Sequence, residues 1–241
     1  MNPTAEHETT WPSSVSWLEL LLVCVVAVVY LATASPWVLG GDNGEFSAIG
    51  AMGGVAHPPG YPLYTLYLRL TSWLPGVSPA HTAALATALL GAASVWGVCR
   101  AAMAWGASLL AAVVAAGVYG FSSLAWVLGT HAEVFVLNGM LVSAIVMLAA
   151  PLGPLRGMPR VLTLGALAGL ALANHHSAVL VLPLGLYGVA RGVWESQAWW
   201  STLAAAGLFL VALGLPYGYT FWVGHHVEEV AWVWGDVSHL S

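Results

Sequence analysis

Long apolar runs with very few charges between them are the feature that most restricts what this chain can fold into. Only 6% of its 241 residues are charged and 59% are hydrophobic, whereas about a quarter of the residues in a typical soluble domain are charged. Several runs approach the roughly 20 apolar residues that a helix needs to cross a bilayer. The sequence therefore predicts an all-α polytopic membrane protein, with residues 1–241 forming a single transmembrane core. A net charge of −5 leaves no basic surface for nucleic acid.

About seven transmembrane helices are predicted from these runs, which fall at about 15–34, 80–99, 104–125, 134–150, 161–174, 177–190 and 199–221. The first run could instead be a signal peptide, because Ala32-Thr33-Ala34 resembles a small-residue cleavage site. The preceding tail has Glu6 and Glu8 but no Lys or Arg, and a signal peptide normally begins with a positive segment. We therefore interpret the first run as an uncleaved helix.

The arginines orient the chain, since there is no lysine and cytoplasmic loops are enriched in basic residues. A cytoplasmic N-terminus and seven alternating spans place four of the five arginines inside: Arg100, Arg156, Arg160 and Arg191. The same threading places most acidic residues and nearly every histidine on the extracytoplasmic side: Asp42, Glu45, His57, His81, His131, Glu133, His175, His176, His225, His226, Glu228, Glu229, Asp236 and His239. The predicted location is a membrane, with the bacterial inner membrane as the expected one.

The segment 161–190 allows two interpretations. Two helices of about 14 residues each would rise only about 21 Å, less than the roughly 30 Å apolar core. Asn174-His175-His176-Ser177 would then lie below the membrane surface, where irregular backbone must line a cavity. One long tilted helix is the alternative, and it would invert the topology of everything downstream. We favour the pair.

The first extracytoplasmic loop, residues 35–78, is predicted to hold two short helices lying along the membrane. One spans Asn43 to Met52, where Phe46, Ile49 and Met52 form an apolar stripe. After the rigid Pro58-Pro59 corner, Pro62 suits the first turn of a second helix.

Asp42 and Glu45 are the candidate catalytic groups, because ionisable residues placed against a bilayer are costly and usually functional. A carboxylate can remove the proton of an acceptor hydroxyl. Alternatively, Asp-x-x-Glu could simply be a variant capping box at the start of the first short helix. His57 could contact phosphate or sugar, or only lead into a turn. Arg69 could bind phosphate through its guanidinium, or extend its charged end from an interfacial helix to water.

Histidine-rich segments elsewhere raise the question of a metal. His131 and Glu133 precede the apolar run at 134–150, and the pairs His175-His176 and His225-His226 follow later. Zinc-type spacing such as His-Glu-x-x-His is absent from the sequence. Glu133 also lies where a helix dipole would stabilise it. We predict no cofactor, although a metal remains an alternative.

Taken together, these motifs resemble a family of multi-spanning glycosyltransferases with the GT-C fold, whose eukaryotic members are transmembrane protein O-mannosyltransferases. Its bacterial members were long catalogued as a domain of unknown function. The resemblance rests on Gly41-Asp42-Asn43-Gly44-Glu45-Phe46, Ala56-His57-Pro58-Pro59-Gly60-Tyr61-Pro62-Leu63-Tyr64, Ala132-Glu133-Val134-Phe135-Val136-Leu137-Asn138 and Ala173-Asn174-His175. Leu215-Pro216-Tyr217 and Trp234-Gly235-Asp236 are weaker matches.

The resemblance implies sugar transfer from a polyprenyl-phosphate donor to an acceptor hydroxyl on protein or glycan, at the extracytoplasmic face. It makes Asp42 the general base with Glu45 as its neighbour. The residues expected to bind substrate are His57, Pro58, Tyr61, Tyr64, Arg69, His131, Glu133, Asn138, Asn174, His175 and His176.

Two departures and a rival interpretation qualify this expectation. Family members are typically longer, so the chain resembles only the N-terminal core and is expected to lack the C-terminal part. Asn43 and Phe135 stand where serine and tyrosine are common. A transporter or flippase for a lipid-linked or small polar substrate would also place polar residues at helix breaks. Such proteins often have two related halves, and the Asp42–Tyr64 block has no second copy. An inactive scaffold that retains the fold is a third possibility.

Overall fold

The computed structural model describes Trp11 and residues 14–225, and all regular structure in this part of the chain is helical. The all-α prediction is therefore confirmed for these residues. The predicted positions of His226, Glu228, Glu229, Asp236 and His239 lie outside them. The helices are α1 Trp17–Thr33, α2 Asn43–Met52, α3 Pro62–Leu70, α4 Pro79–Ala104, α5 Leu109–Gly120, α6 Ser123–Gly129, α7 Val134–Ala149, α8 Gly157–Asn174, a 3-10 segment His176–Val181, α9 Leu182–Ser196 and α10 Ser201–His225.

Serine side chains begin four of these helices. Ser16 forms a capping box with Glu19, in which each side chain accepts a hydrogen bond from the other residue's backbone N–H. Three further serine hydroxyls accept from the backbone N–H three residues later and so satisfy a donor that the helix leaves free. They are Ser78 at α4, Ser108 at α5 and Ser122 at α6. Ser108 and Ser122 both lie within the apolar run at 104–125, so these caps start helices where hydropathy alone indicates one continuous run.

Fewer helices are long enough to cross a membrane than the seven predicted. Among the described residues, three pass by length and composition: α4, the continuous segment His176–Ser196, and α10. A fourth is possible if α5 and α6, bent by 66° at the break between them, form one span. At 17 and 16 residues, α1 and α7 are apolar but shorter. The structure thus supports three or four candidate spans, and the count of seven is not confirmed.

The segment 161–190 is broken, as the two-helix interpretation requires. α8 ends at Asn174, His175 has an extended backbone, and α9 follows the 3-10 segment. Gly157 at the start of α8 lies against Ser196 at the end of α9. The two helices are therefore antiparallel neighbours, and the alternative of one long helix is wrong. α8 begins four residues before the predicted run, so it is longer than expected.

α4 lies at the centre of the fold and packs against α1, α2, α5, α6 and α7. Its N-terminal half joins one buried apolar cluster with α2, α3, α7 and α8, and its C-terminal half joins another with α1 and α5. Close contact depends on small residues: a Cβ on Gly91 would lie 2.6 Å from the ring of Tyr30. The Tyr30 hydroxyl crosses the interface and donates to the Gly120 carbonyl at 2.6 Å.

Ion pairs join the helix ends that carry the arginines. Arg100 near the end of α4 pairs with buried Glu19 near the start of α1, at 3.3 Å. The Glu195 carboxylate at the end of α9 binds Arg160 at 3.0 Å and Arg191 at 3.4 Å, and it also accepts from the Gly157 N–H. These acids were not anticipated from the sequence. The opposite ends of the same helices hold the candidate site.

Candidate active site

The loop before α2 presents two carboxylates in very different surroundings. Asp42 stands at the N-cap position of α2, but its side chain makes no capping hydrogen bond. Its side chain is 49% exposed, whereas that of Glu45, one helical turn later, is 9% exposed. The capping-box alternative is therefore wrong, because Asp42 does not cap and Glu45 binds elsewhere. Asp42 is the carboxylate that an incoming molecule can reach.

Glu45 binds His57 through both carboxylate oxygens. The His57 backbone N–H donates to Oε1 at 2.6 Å, and the imidazole Nδ1 lies 2.7 Å from Oε2. A carboxylate only accepts hydrogen bonds, so this pairing places a proton on Nδ1. In the neutral ring, Nε2 then carries a lone pair. The Tyr61 hydroxyl lies 3.1 Å from Nε2, and the Asp42 carboxylate lies 3.8 Å from it.

The backbone between His57 and α3 turns sharply and holds Tyr61 over the histidine. Pro58-Pro59 is a cis peptide bond, and Gly60 has φ = +92°. Tyr61 itself has φ = +42° and ψ = +50°, a left-handed conformation that costs a residue with a side chain about 1–3 kcal/mol. Pro62 then begins α3, as the sequence predicts. The packing of the Tyr61 ring must compensate for this strain.

The Tyr61 phenol is held in its neutral form. Burial raises its pKa above the ordinary value of 10.0, and the carboxylates of Asp42, Glu45 and Glu133 raise it further. A neutral phenol can donate its proton to a nitrogen lone pair. Tyr61 is therefore the donor in its hydrogen bond to His57 Nε2.

The break between α8 and the 3-10 segment meets this loop through His175. The His175 ring stacks on Tyr61 with centroids 5.6 Å apart, and Phe135 packs against its other side at 4.9 Å. The Ser177 backbone N–H donates to His175 Nδ1 at 3.0 Å, and the Ser177 hydroxyl lies 2.7 Å from the same nitrogen. Burial, and to a lesser extent His176, lowers the pKa of His175, which agrees with Nδ1 acting as an acceptor.

Two asparagines extend this contact towards α7. Asn138 donates through Nδ2 to the Ser177 hydroxyl at 3.2 Å, and Asn174 donates to the Val134 carbonyl at 3.3 Å. In the described part of the chain, the side-chain oxygens of both are buried without a protein partner, as is the amide nitrogen of Asn43. Such atoms normally find a hydrogen bond to protein, water or ligand.

His131 and Glu133 form a buried pair on the inner side of the loop. Their closest side-chain atoms are 3.6 Å apart. A Cβ on Gly41 would lie 3.8 Å from the Glu133 carboxylate, so the residue before Asp42 rests against this pair. The pair therefore supports the loop that carries Asp42.

Four predicted substrate-binding residues lie in the core or at the surface around these contacts. The Tyr64 ring is fully buried, with its hydroxyl 2.7 Å from that of Thr87, and the hydroxyl also accepts a hydrogen bond from the Glu133 backbone N–H. Arg69 is exposed and donates to the Ala51 carbonyl at 2.9 Å. His176 is exposed beside His175, and Pro58 is exposed at the corner that follows His57. Substrate contact by any of these residues stays a prediction.

A metal would find few free ligand atoms here. Among the described residues, Asp42, Glu45 and His57 each offer one ligand atom, and these atoms lie within 4.8 Å of one another. Glu45 already uses both oxygens on His57, and His57 uses Nδ1 on Glu45. The second imidazole nitrogen accepts from Tyr61, so Glu45 and His57 already use their ligand atoms within the cluster, and we assign no metal to it.

The family model described as "Protein O-mannosyl-transferase TMEM260 N-terminal domain" matches residues 42–198. The match begins at Asp42 and includes His57, the start of α7 and the break at His175. The chain belongs to this family. No solved structure matches it.

Two curated members of the TMEM260 family are longer than this chain. Protein O-mannosyl-transferase TMEM260 of Mus musculus is 32% identical over 239 residues, which are 95% of this chain and 33% of the mouse protein. Protein O-mannosyl-transferase tmem260 of Dictyostelium discoideum is 25% identical over 240 residues, which are 92% of this chain and 29% of that protein. The chain spans about a third of the length of these relatives. The family resemblance expected from the motifs is thus confirmed.

Some contacts of the site were not foreseen. Phe135 and Thr87 hold predicted residues in place, but nothing in their local sequence marks these contacts. The pairing of Glu45 with His57 was also missed, since the two residues are 12 positions apart. Ser177 had a weak signal, because a hydroxyl two residues after a histidine at a helix end can bond back to it.

Proposed function

We propose that this chain is the core of a membrane glycosyltransferase that moves mannose from a polyprenyl-phosphate donor to a hydroxyl of an acceptor protein or glycan. The observation that carries the proposal is the half-exposed Asp42 carboxylate beside the partly buried Glu45–His57 pair, at the start of the region matched to the TMEM260 family. The names of the mouse and Dictyostelium relatives support protein O-mannosylation as the reaction.

Asp42 is the general base in this proposal. Its carboxylate accepts the proton of the acceptor hydroxyl while the hydroxyl oxygen attacks the anomeric carbon of the sugar. The bond between that carbon and the phosphate oxygen breaks, and the electron pair leaves with the phosphate. Glu45 does not contact the acceptor, because His57 covers both its oxygens. Its role is to fix His57.

The substrate would lie over the surface formed by the first loop and the break at His175. The Tyr61 and His175 rings and the oxygens of Asn138 and Asn174 are the groups we propose for the sugar side of the site. Arg69, on α3, is the proposed contact for the donor phosphate, since a guanidinium matches phosphate oxygens. Pro58, His131, Glu133 and His176 are proposed to shape the rim and the floor.

The orientation in the membrane is also part of the proposal. Arg100, Arg156, Arg160 and Arg191 lie at the helix ends opposite the cluster, and basic residues favour the cytoplasmic side. This supports an extracytoplasmic site and a cytoplasmic N-terminus. α1 and α7 would then cross as short spans within a core of seven.

The test is transfer of radiolabelled mannose from polyprenyl-phosphate mannose by the protein in proteoliposomes. Asp42→Asn keeps the size of an exposed side chain and removes the base, so transfer should fall by roughly 100-fold or more. Asp42→Glu is the matched control, because it keeps a carboxylate, and it should retain measurable transfer. Full activity in Asp42→Asn would remove Asp42 as the base. If the wild-type protein moves an intact lipid-linked sugar across the bilayer without transferring it, the transporter alternative would replace the proposal.

A further inference from the structure

A proton taken up by Asp42 has an acceptor within reach. His57 Nε2 is 3.8 Å from the Asp42 carboxylate, and Glu45 holds the opposite nitrogen of the ring at 2.7 Å. We propose that His57 is a positioning and relay residue that takes the proton from Asp42 after each transfer, and that Glu45 fixes the tautomer needed for this. The inference rests on the proposed function and assigns a role to a pair that this function does not require.

The chemistry of the two groups favours this direction of transfer. An imidazole nitrogen is a stronger base than a carboxylate. Once the acceptor oxygen is bonded to the sugar, the proton on Asp42 moves to Nε2 and the carboxylate is restored. The resulting imidazolium donates through Nδ1 to the Glu45 carboxylate. The proton then leaves to water from His57, whose side chain is 25% exposed.

The Glu45 carboxylate selects the tautomer of His57 that this role requires. With Glu45 ionised, the neutral ring must carry its proton on Nδ1, which leaves the Nε2 lone pair facing Asp42 and Tyr61. Tyr61 donates to Nε2 while the ring is neutral, and its hydroxyl oxygen can accept from Nε2 once the ring is protonated. The separation of 3.8 Å exceeds a hydrogen bond, but such contacts often shorten only when substrate is bound. Asp42 is exposed enough to move that distance.

The charged and titratable groups around His57 come from four elements. Asp42 and Glu45 face it from the start of α2, and Tyr61 faces it from the turn before α3. Beyond Tyr61 lie His175 at the end of α8 and Glu133 before α7. Nε2 therefore faces one half-exposed carboxylate and one phenol.

His57→Gln is the principal test, with transfer from polyprenyl-phosphate mannose as the readout. The glutamine amide can still donate to Glu45 but cannot hold a proton. We expect kcat to fall roughly 10- to 100-fold and KM for the donor to stay within about 2-fold. His225→Gln is the matched control, because this exposed histidine bonds back to the Phe221 carbonyl of its own helix. Its kcat and KM should match those of the wild type.

Glu45→Gln gives a second, independent readout if His57→Gln folds poorly. A glutamine amide can donate to Nδ1 and so move the ring proton to Nε2, which blocks acceptance. We expect Glu45→Gln to match His57→Gln in kcat, and the double variant to be no slower than either single one. Additive losses would show two unrelated roles and overturn the inference.

The outcomes separate this inference from the proposed function. If Asp42→Asn is inactive while His57→Gln keeps the wild-type kcat, the relay is wrong and the base assignment stands. If the wild type transfers no mannose, the proposed function fails and the relay fails with it. Loss of kcat at unchanged KM in His57→Gln, with no further loss in the double variant, supports the relay.

Discussion

Tyr61 and His175 stack with their rings 5.6 Å apart and only 13° from parallel. One belongs to the turn before α3 and the other to the break after α8, so this contact joins parts of the chain that are 114 positions apart. On its other edge, Tyr61 donates to His57. The position of the Glu45–His57 pair therefore depends on a helix break far along the sequence.

Replacing His175 should disturb the site more than replacing its neighbour. His175→Ala removes the stack on Tyr61, the contact with Phe135 and the acceptor for the Ser177 N–H, and should destabilise the protein by about 1–2 kcal/mol. His176→Ala is the matched control, since His176 is exposed, and should change stability by less than about 0.5 kcal/mol. Thermal unfolding in detergent and mannose transfer measure both effects. Equal losses in the two variants would contradict the importance of the stack.

Tyr64 offers a direct test of a substrate-binding assignment. Its hydroxyl lies 2.7 Å from the Thr87 hydroxyl within the core. Thr87 still donates to the Ala83 carbonyl, but the Glu133 backbone N–H loses the acceptor that Tyr64 provides, so Tyr64→Phe should cost about 1–3 kcal/mol of stability. The burial of Tyr64 predicts that KM for the donor is unchanged, as measured by initial rates of transfer. A raised KM at unchanged stability would show that the substrate does reach this hydroxyl.

Close packing of α8 on α10 should be sensitive to a single methyl group. A Cβ on Gly169 would meet the Phe209 carbonyl oxygen and, at 3.0 Å, Ala212. Gly169→Ala should therefore separate the helices and destabilise the protein by about 2 kcal/mol.

Gly214→Ala on α10 is the control for this change, because nothing lies within 4 Å of the added Cβ. Alanine also favours helix more than glycine does. Denaturation of both variants in mixed micelles would compare them. If Gly169→Ala were as stable as Gly214→Ala, the two helices would not pack as described.

Removing only one partner of the Glu19–Arg100 pair should destabilise the protein more than removing both. Both side chains are buried, and the arginine also stacks on Trp11 at 4.3 Å. Arg100→Gln leaves a buried carboxylate unpaired and should cost about 3 kcal/mol. The double variant Glu19→Gln/Arg100→Gln should recover part of that loss. A double-mutant cycle of unfolding free energies in detergent measures this coupling, and strictly additive losses would contradict it.

Local signals in the sequence predicted where the helices of the first loop begin and end. Gly53-Gly54 ends α2, and Pro62 begins α3, because each residue type restricts or frees the backbone locally. Their position at a membrane interface stays a prediction. The role of Glu45 could not be predicted in the same way. It pairs with His57 rather than with the start of its own helix, and only the fold brings these residues together.

Hydropathy predicted the spans less well, since it measures how apolar a segment is and not where a helix ends or bends. The run at 104–125 is apolar throughout, yet Ser108 starts α5 and Ser122 starts α6, with a 66° bend between the two. The run at 161–190 was better predicted, because Asn174-His175 interrupts it with polar side chains. Tyr64 was assigned to the site as part of the Ala56–Tyr64 motif. One turn of α3 places its side chain in the core, and contact with the substrate stays a prediction.

The alanines of α4 have a consequence for how this protein can vary. Ala83, Ala84, Ala86 and Ala88 are almost completely buried on a helix that five others touch. Replacing any of them with a larger side chain would displace α2 or α7 and, with them, the carboxylates and histidines of the site. These unreactive residues therefore set the geometry of the candidate site, and substitution at these four positions should be restricted to side chains no larger than serine.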